Sequence, residues 1–275
     1  MDDEQVTTWL GEERVRGRVT ARIGRRGTEL VAEFPNLGTF FLNADGTRAR
    51  LEAARGANPR VLEKLGASAI GALTRHLQGK LTFHAGAASL GSSAVVFLGE
   101  SGAGKSTLAA ALCTEAGFDL VADDTASIEV PNSTDAAAAI EVVPSQSAVW
   151  LLPSARVALG INHGTEGKVP VTVRVTAATS LTLIAILHLV FDPEVSRPIL
   201  QRVRGQEAFS LLSGSAIRFV IDRPEAQLSE FEQFRRVVQT CPIFELRRAC
   251  SLDQLSRSVG IVRQLVARSN LPPSP

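Results

Sequence analysis

One eight-residue run constrains this chain more than any other feature: Gly99-Glu-Ser-Gly-Ala-Gly104-Lys105-Ser106. It fits G-x-x-x-x-G-K-[ST] at every defined position. An apolar strand, Ala94 to Leu98, enters it, and a helix-forming run from Lys105 to Ala116 leaves it before Gly117. Gly99, Gly102 and Gly104 let the backbone turn with its N–H groups inward, where they and the helix N-terminus bind phosphate oxygens. Lys105 places a point charge at the β/γ phosphates, and the Ser106 hydroxyl is a ligand for Mg²⁺. An ordinary strand–turn–helix connection needs neither Lys nor Ser in that register. The cradle is thus Gly99, Ser101, Gly102, Ala103, Gly104, Lys105, Ser106 and Thr107, with Glu100 facing solvent.

Two further signals flank the cradle. Asp123-Asp124 ends the next strand, Asp119 to Ala122, and strands of parallel α/β sheets end near the ligand. One carboxylate of the pair suits Mg²⁺ and the other a proton from an attacking hydroxyl. His84 ends the strand before the cradle strand, where an imidazolium would stabilise charge on a γ-phosphate. A lone histidine is more often structural, and His76, His163 and His188 read that way.

The rest of the chain bounds the architecture. Its 275 residues are 45% hydrophobic with 29 basic and 28 acidic side chains. That supports a globular core and argues against a basic nucleic-acid coat. Cys113, Cys241 and Cys250 are widely spaced, so neither a disulfide framework nor a zinc site is expected. The N-terminus lacks a secretion pattern, and Leu181 to Phe191 is too short to span a bilayer. A soluble cytoplasmic protein, with neither membrane nor nucleic acid as partner, is expected.

The first 79 residues read as a β-rich module with a helix. Strands are expected at Val15 to Ile23, Glu29 to Phe34, Thr39 to Leu42 and Arg48 to Glu52, with a turn at Arg25-Arg26-Gly27. Pro59 to Gln78 has helical spacing, Asn58 as its cap and Gly79 as its stop. A second domain over 80–270 carries the cradle. It adds strands at Leu81 to Ala85, Ser127 to Val130, Ile140 to Val143, Val169 to Val175, Leu181 to Val190 and Ile243 to Arg247. Its helices are expected at Gly205 to Leu212, Ala226 to Val238 and Leu252 to Ala267. Residues 271–275 form a frayed tail.

From His84 through Val95-Val-Phe-Leu-Gly99 and Ser101 to Leu108, to Gly117-Phe-Asp-Leu-Val-Ala-Asp-Asp124, the chain resembles the C-terminal domain of HPr kinase/phosphorylase. It resembles more closely the HPr-kinase-like serine kinases that act on peptides, including the lasso-peptide type. The resemblance implies a P-loop α/β core with a mixed sheet, of the HPr kinase and PEP carboxykinase kind, plus the N-terminal β-rich module. It implies ATP and Mg²⁺ as cofactors, a seryl acceptor on a peptide or protein, and a homo-oligomer. It implies His84 and Lys105 in catalysis, Asp123 as general base, and Asp124 with Ser106 on the Mg²⁺ side. The E-x-R-G-x-G segment of the bifunctional enzymes is missing, which argues against phosphorolysis and against HPr as substrate. Lys168 and Arg204 are candidate later sources of positive charge. The rival readings are a P-loop ATPase, a nucleotide-sensing regulator without transfer, and a kinase of free serine.

Overall fold

The computed structural model describes residues 7–131, 138–145, 148–161, 166–219 and 224–269. His163, most of the loop from Pro131 to Ala139 and the tail at 271–275 lie outside them. The chain divides into two compact units, Met1–Lys80 with Ile217–Glu230, and Leu81–Ala216 with Phe231–Pro275. The division at Lys80 falls one residue past the expected one. The return of 217–230 to the first unit is not visible in chain order.

The first unit opens with five antiparallel strands in sequence order: β1 (Thr8–Val15), β2 (Arg18–Arg26), β3 (Glu29–Phe34), β4 (Gly38–Leu42) and β5 (Ala49–Ala53). The strand expected from Val15 starts instead at a hairpin turn. Arg16 (φ 50°) and Gly17 (φ 78°) take the positive φ that a tight two-residue hairpin loop requires. The sequence missed β1 because Gly11-Glu-Glu-Arg has no apolar alternation. Arg25 and Arg26 continue β2, and the next turn falls at Gly27 (φ 59°).

Helix α1 (Pro59–Leu65), a π-helical turn at Gly66–Ile70 and α2 (Gly71–Leu77) follow as one run. The Asn58 side chain accepts the Arg60 N–H at 3.0 Å, which satisfies an orphan donor of the first turn. The period-2 residues Leu30, Ala32, Phe34, Phe40 and Leu42 share a core with the period-3.6 residues Ile70, Leu73 and Leu77.

The second unit contains β6 (Leu81–Phe83), β7 (Gly86–Leu90), β8 (Ser93–Leu98), α3 (Lys105–Glu115), β9 (Asp119–Ala122), β10 (Ala126–Glu129), β11 (Glu141–Val143), β12 (Val149–Leu151), α4 (Pro153–Ala158), β13 (Val169–Val171), β14 (Leu181–Phe191), β15 (Ile199–Val203) and α5 (Gly205–Ser215). After α6 (Pro224–Thr240) come β16 (Ile243–Arg248), a 3₁₀ turn at Leu252–Gln254 and α7 (Leu255–Ser269). Nine strands make one mixed sheet in the order β6-β10-β11-β14-β8-β7-β9, with β16 also on β14 and β15 on β16.

The long apolar β14 organises that sheet. One edge pairs with β8, while the other takes β11 at its start and β16 along Ile186–Phe191. Alternate residues serve opposite faces. Val96, Leu98 and Ile186 pack with Leu212, Phe234 and Val237. Val95, Phe97, Leu187 and Leu189 pack with Leu108, Leu112, Val259 and Val262. Each such side chain contributes about 1.5–3 kcal/mol by leaving water. Helices thus cover both faces, as a buried strand apolar on both sides requires.

Strand direction places the site. β14 and β16 run parallel to β8, and β7 runs antiparallel to both β8 and β9. β8 and β9 therefore point the same way with β7 between them. The carboxyl ends of β8, β9, β14 and β16 fall on one edge, where ligands of α/β sheets bind. Among the described residues, no helix is long and apolar enough to cross a membrane.

Candidate active site

The loop between β8 and α3 is held open by glycines that its neighbours demand. Gly99 has φ 141°, and a Cβ there would stand 2.8 Å from the Leu189 carbonyl oxygen of β14. Gly104 has φ 81°, and its Cβ would stand 2.6 Å from Nη2 of Arg248, the last residue of β16. Gly104 is also the cap of α3 and has no side chain to offer, so the helix presents its first turn to the cleft. Lys105 is buried, and its Nζ donates to the Gly99 and Glu100 carbonyls at 2.6 and 3.0 Å. Burial pushes its pKa down, and the charge of Asp124 opposes that shift.

Asp123 and Asp124 leave β9 in different directions. Asp123 is 1% exposed. Its Oδ1 accepts from the Ser106 hydroxyl at 2.6 Å, and its Oδ2 accepts from the Trp150 N–H at 2.8 Å. Burial first and the neighbouring Asp124 second push its pKa up, against the pull of those two hydrogen bonds. Asp124 takes a left-handed conformation (φ 69°), which Asp tolerates better than most residues. That twist aims its carboxylate into the cleft, with Oδ1 3.4 Å from Lys168 Nζ. The resemblance implies Asp123 as the base and Asp124 on the metal side; here Asp123 is the carboxylate bonded to Ser106, and Asp124 is the one that lines the cleft.

His84 occupies the bend between β6 and β7. Its N–H donates to the Ser215 carbonyl at 3.2 Å, and the next amide, Ala85, donates to the Asp124 carbonyl at 3.2 Å. Gly86 then pairs with Phe97, and Ala87 with Ala122, so β7 starts between the ends of the cradle strand and the acidic strand. The expected strand through Ala85 therefore stops at Phe83, and β7 is the strand that precedes the cradle strand. It was hidden because Gly-Ala-Ala-Ser-Leu has little β propensity. The His84 ring lines the cleft, where desolvation first and Lys105 second lower its pKa. The free protein thus disfavours the imidazolium that the sequence reading placed there.

The cleft these residues border has a volume of about 520 Å³. Ser101, Gly102, Gly104, Lys105, Ser106 and Thr107 line it from the loop side, together with Asp124, Lys168 and His84. Gly99 and Ala103 shape the loop from behind. Trp150, Leu152, Phe191 and Leu252 supply apolar wall. Arg248 is 4% exposed, donates from Nη2 to the Ala103 carbonyl, and stacks 4.9 Å from the Phe191 ring centre. Among the described residues its Nε has no hydrogen-bond partner, and burial lowers its pKa.

Sequence reasoning missed Arg248, Trp150 and Phe191. For Phe191 and Arg248 the available signal was their place at one sheet edge, where they end the two strands parallel to β8. Trp150 lies on β12, which pairs only with β13, and carried no such signal. Arg204 stands at the start of α5 and does not line the cleft. His188 lies 3.6 Å from Glu245, and His76 packs on Phe219 with ring centres 5.6 Å apart. Neither lines the cleft.

One solved structure similar to this chain is that of the HPr(Ser) kinase/phosphatase from Coxiella burnetii. The match covers 68% of this chain and 94% of that one, at 12% identity and a TM-score of 0.36. The sequence matches no protein-family model and no curated protein. A likeness that distant leaves the chemistry to be argued from the cleft itself.

Proposed function

We propose that this chain is a phosphotransferase that moves the γ-phosphoryl of ATP to a hydroxyl, with a serine of a peptide or protein as acceptor. One observation carries the proposal: a single cleft brings together the Lys105 loop, Ser106 with its hydrogen bond to the buried Asp123, and the Asp124 carboxylate beside Lys168. The donor set fits a magnesium-bound triphosphate. A hydroxyl and a carboxylate give the hard oxygens this cation prefers, and the glycine loop with its lysine suits phosphate. The cation, when bound, supplies charge neutralisation at the phosphates.

The chain's own groups have separable tasks. Lys105 exchanges its two loop carbonyls for phosphate oxygens. Ser106, oriented by Asp123, holds the cation side. Asp124 accepts the proton of the acceptor hydroxyl as its oxygen bonds to the γ-phosphorus and the bond to the bridging oxygen of ADP breaks. Lys168 places its ammonium 3.4 Å from the Asp124 carboxylate. His84, disposed to be neutral beforehand, gains basicity as phosphate charge arrives. Such catalysis is mainly positioning and electrostatics.

The test is incubation with γ-labelled ATP and candidate peptides, with the phosphate located by mass spectrometry. The proposal predicts phosphoserine that depends on Lys105. Steady ATP hydrolysis with no labelled peptide would favour the ATPase reading, and labelled free serine alone would favour a small-molecule kinase.

A further inference from the structure

The first unit has a feature that its fold does not require. A groove of about 310 Å³ runs between β5 and the α1–α2 helix, lined by Ala49 and Leu51 on the strand and Gly66, Ile70, Gly71 and Thr74 on the helix. Both glycines are ordinary right-handed helix residues, at φ −58°. A Cβ on Gly66 would meet nothing within 4 Å, and one on Gly71 would meet only the Gly66 carbonyl oxygen at 3.4 Å. Neither backbone nor packing calls for glycine, and glycine inside a helix is destabilising relative to alanine. What the two glycines do accomplish is to keep the groove open.

The strand beside the groove is an unprotected edge. The sheet ends in β1 on one side and β5 on the other. β1 carries two register irregularities, which blunt an edge, whereas β5 pairs with β4 in unbroken register and exposes all five residues. The Asn43 N–H donates to the Arg48 carbonyl, and the Ala54 N–H to the Leu37 carbonyl. Alternation along an antiparallel pair then turns the main-chain groups of Ala49, Leu51 and Ala53 outward. The surrounding charge selects the occupant. Residues 48–75 hold six basic and two acidic side chains. Among the described residues, Arg48 and Arg55 are exposed and have no acidic partner.

We propose that this groove binds an extended acidic peptide segment, which adds to β5 as a sixth strand and seats alternate side chains against Gly66 and Gly71. Strand addition draws affinity from main-chain hydrogen bonds and selectivity from the pockets beside them. As a docking site for the sequence around the acceptor serine, it rests on the phosphotransfer reading; the binding itself does not.

The test uses the full chain without nucleotide and a fluorescein-labelled peptide, Glu-Val-Glu-Val-Glu-Ser-Glu-Val-Glu, with its lysine-for-glutamate counterpart as control. Fluorescence anisotropy should show saturable binding of the acidic peptide and at least about tenfold weaker binding of the lysine peptide. Amide exchange at Ala49, Leu51 and Ala53 should slow on binding. The double substitution Gly66→Leu and Gly71→Leu should fill the groove and weaken binding at least about tenfold, while the melting temperature does not fall. No binding of the acidic peptide, equal binding of the lysine peptide, unchanged exchange along β5 or unchanged affinity of the double variant would each overturn the proposal. Slowing of Cys250 thiol labelling by Mg²⁺·ATP in the same variant reads the second unit's cleft separately.

Discussion

Replacing Gly104 by alanine should destabilise the second unit through two contributions that a second substitution can separate. The first is conformational: an L-residue in the left-handed region costs about 1–2 kcal/mol. The second is the contact with Arg248. The new Cβ, 2.6 Å from Nη2, forces the guanidinium off the Ala103 carbonyl and off the Phe191 ring. A hydrogen bond from a charged donor contributes about 1.5–3 kcal/mol, so the whole loss is about 2.5–5 kcal/mol. Arg248→Ala removes the obstacle, and in that background Gly104→Ala should cost only the conformational 1–2 kcal/mol. The two substitutions should therefore be less than additive by about 1.5–3 kcal/mol. Urea unfolding followed by Trp150 fluorescence in a Trp9→Phe chain reads this unit. Additivity within about 0.5 kcal/mol would refute the placement of Arg248 against the loop.

Three other outcomes are expected. Asp123→Asn should leave stability at pH 7 unchanged or raise it. A carboxyl with a raised folded pKa contributes stability below its unfolded value of 3.8, and that contribution is lost as pH rises through the folded value. The advantage of Asn over Asp should accordingly shrink on acidification, as urea midpoints between pH 4 and pH 7 would reveal. His84 behaves oppositely, because its lowered folded pKa makes stability fall as pH drops from 6.5 towards the folded value; His84→Gln should flatten that part of the profile. Thiol labelling at pH 8 should reach exposed Cys250 well before Cys113 and Cys241, whose thiols are pushed up to about 12 by burial. Cys250 lines the cleft, so Mg²⁺·ATP should slow its labelling, and unchanged labelling would count against nucleotide at this site.

Much of the second unit was legible because its signals are local. The strand into the loop, the loop glycines and β9 with its two aspartates each carry their pattern within a few residues. Arg248 was not legible, since only the pairing of β16 with β14 brings a residue 145 positions from Ala103 onto the loop. β7 failed for a different reason: its alanines suit burial between two strands but lack the β-branched signature. The different surroundings of Asp123 and Asp124 depend on one positive φ and on the Trp150 amide, neither of which spacing encodes. β1 was lost because exposed strands on both faces have no apolar period to read.

The most direct measurement is single-turnover transfer from labelled ATP to the phosphoserine-yielding peptide, compared for wild type, Asp123→Asn and Asp124→Asn at saturating Mg²⁺. Asp124→Asn should hold nucleotide as the wild type does, with transfer slowed by at least about 100-fold. Asp123→Asn should weaken the Mg²⁺-dependent part of nucleotide affinity. Wild-type transfer by Asp124→Asn would contradict the assignment of the open carboxylate as the group that takes the proton.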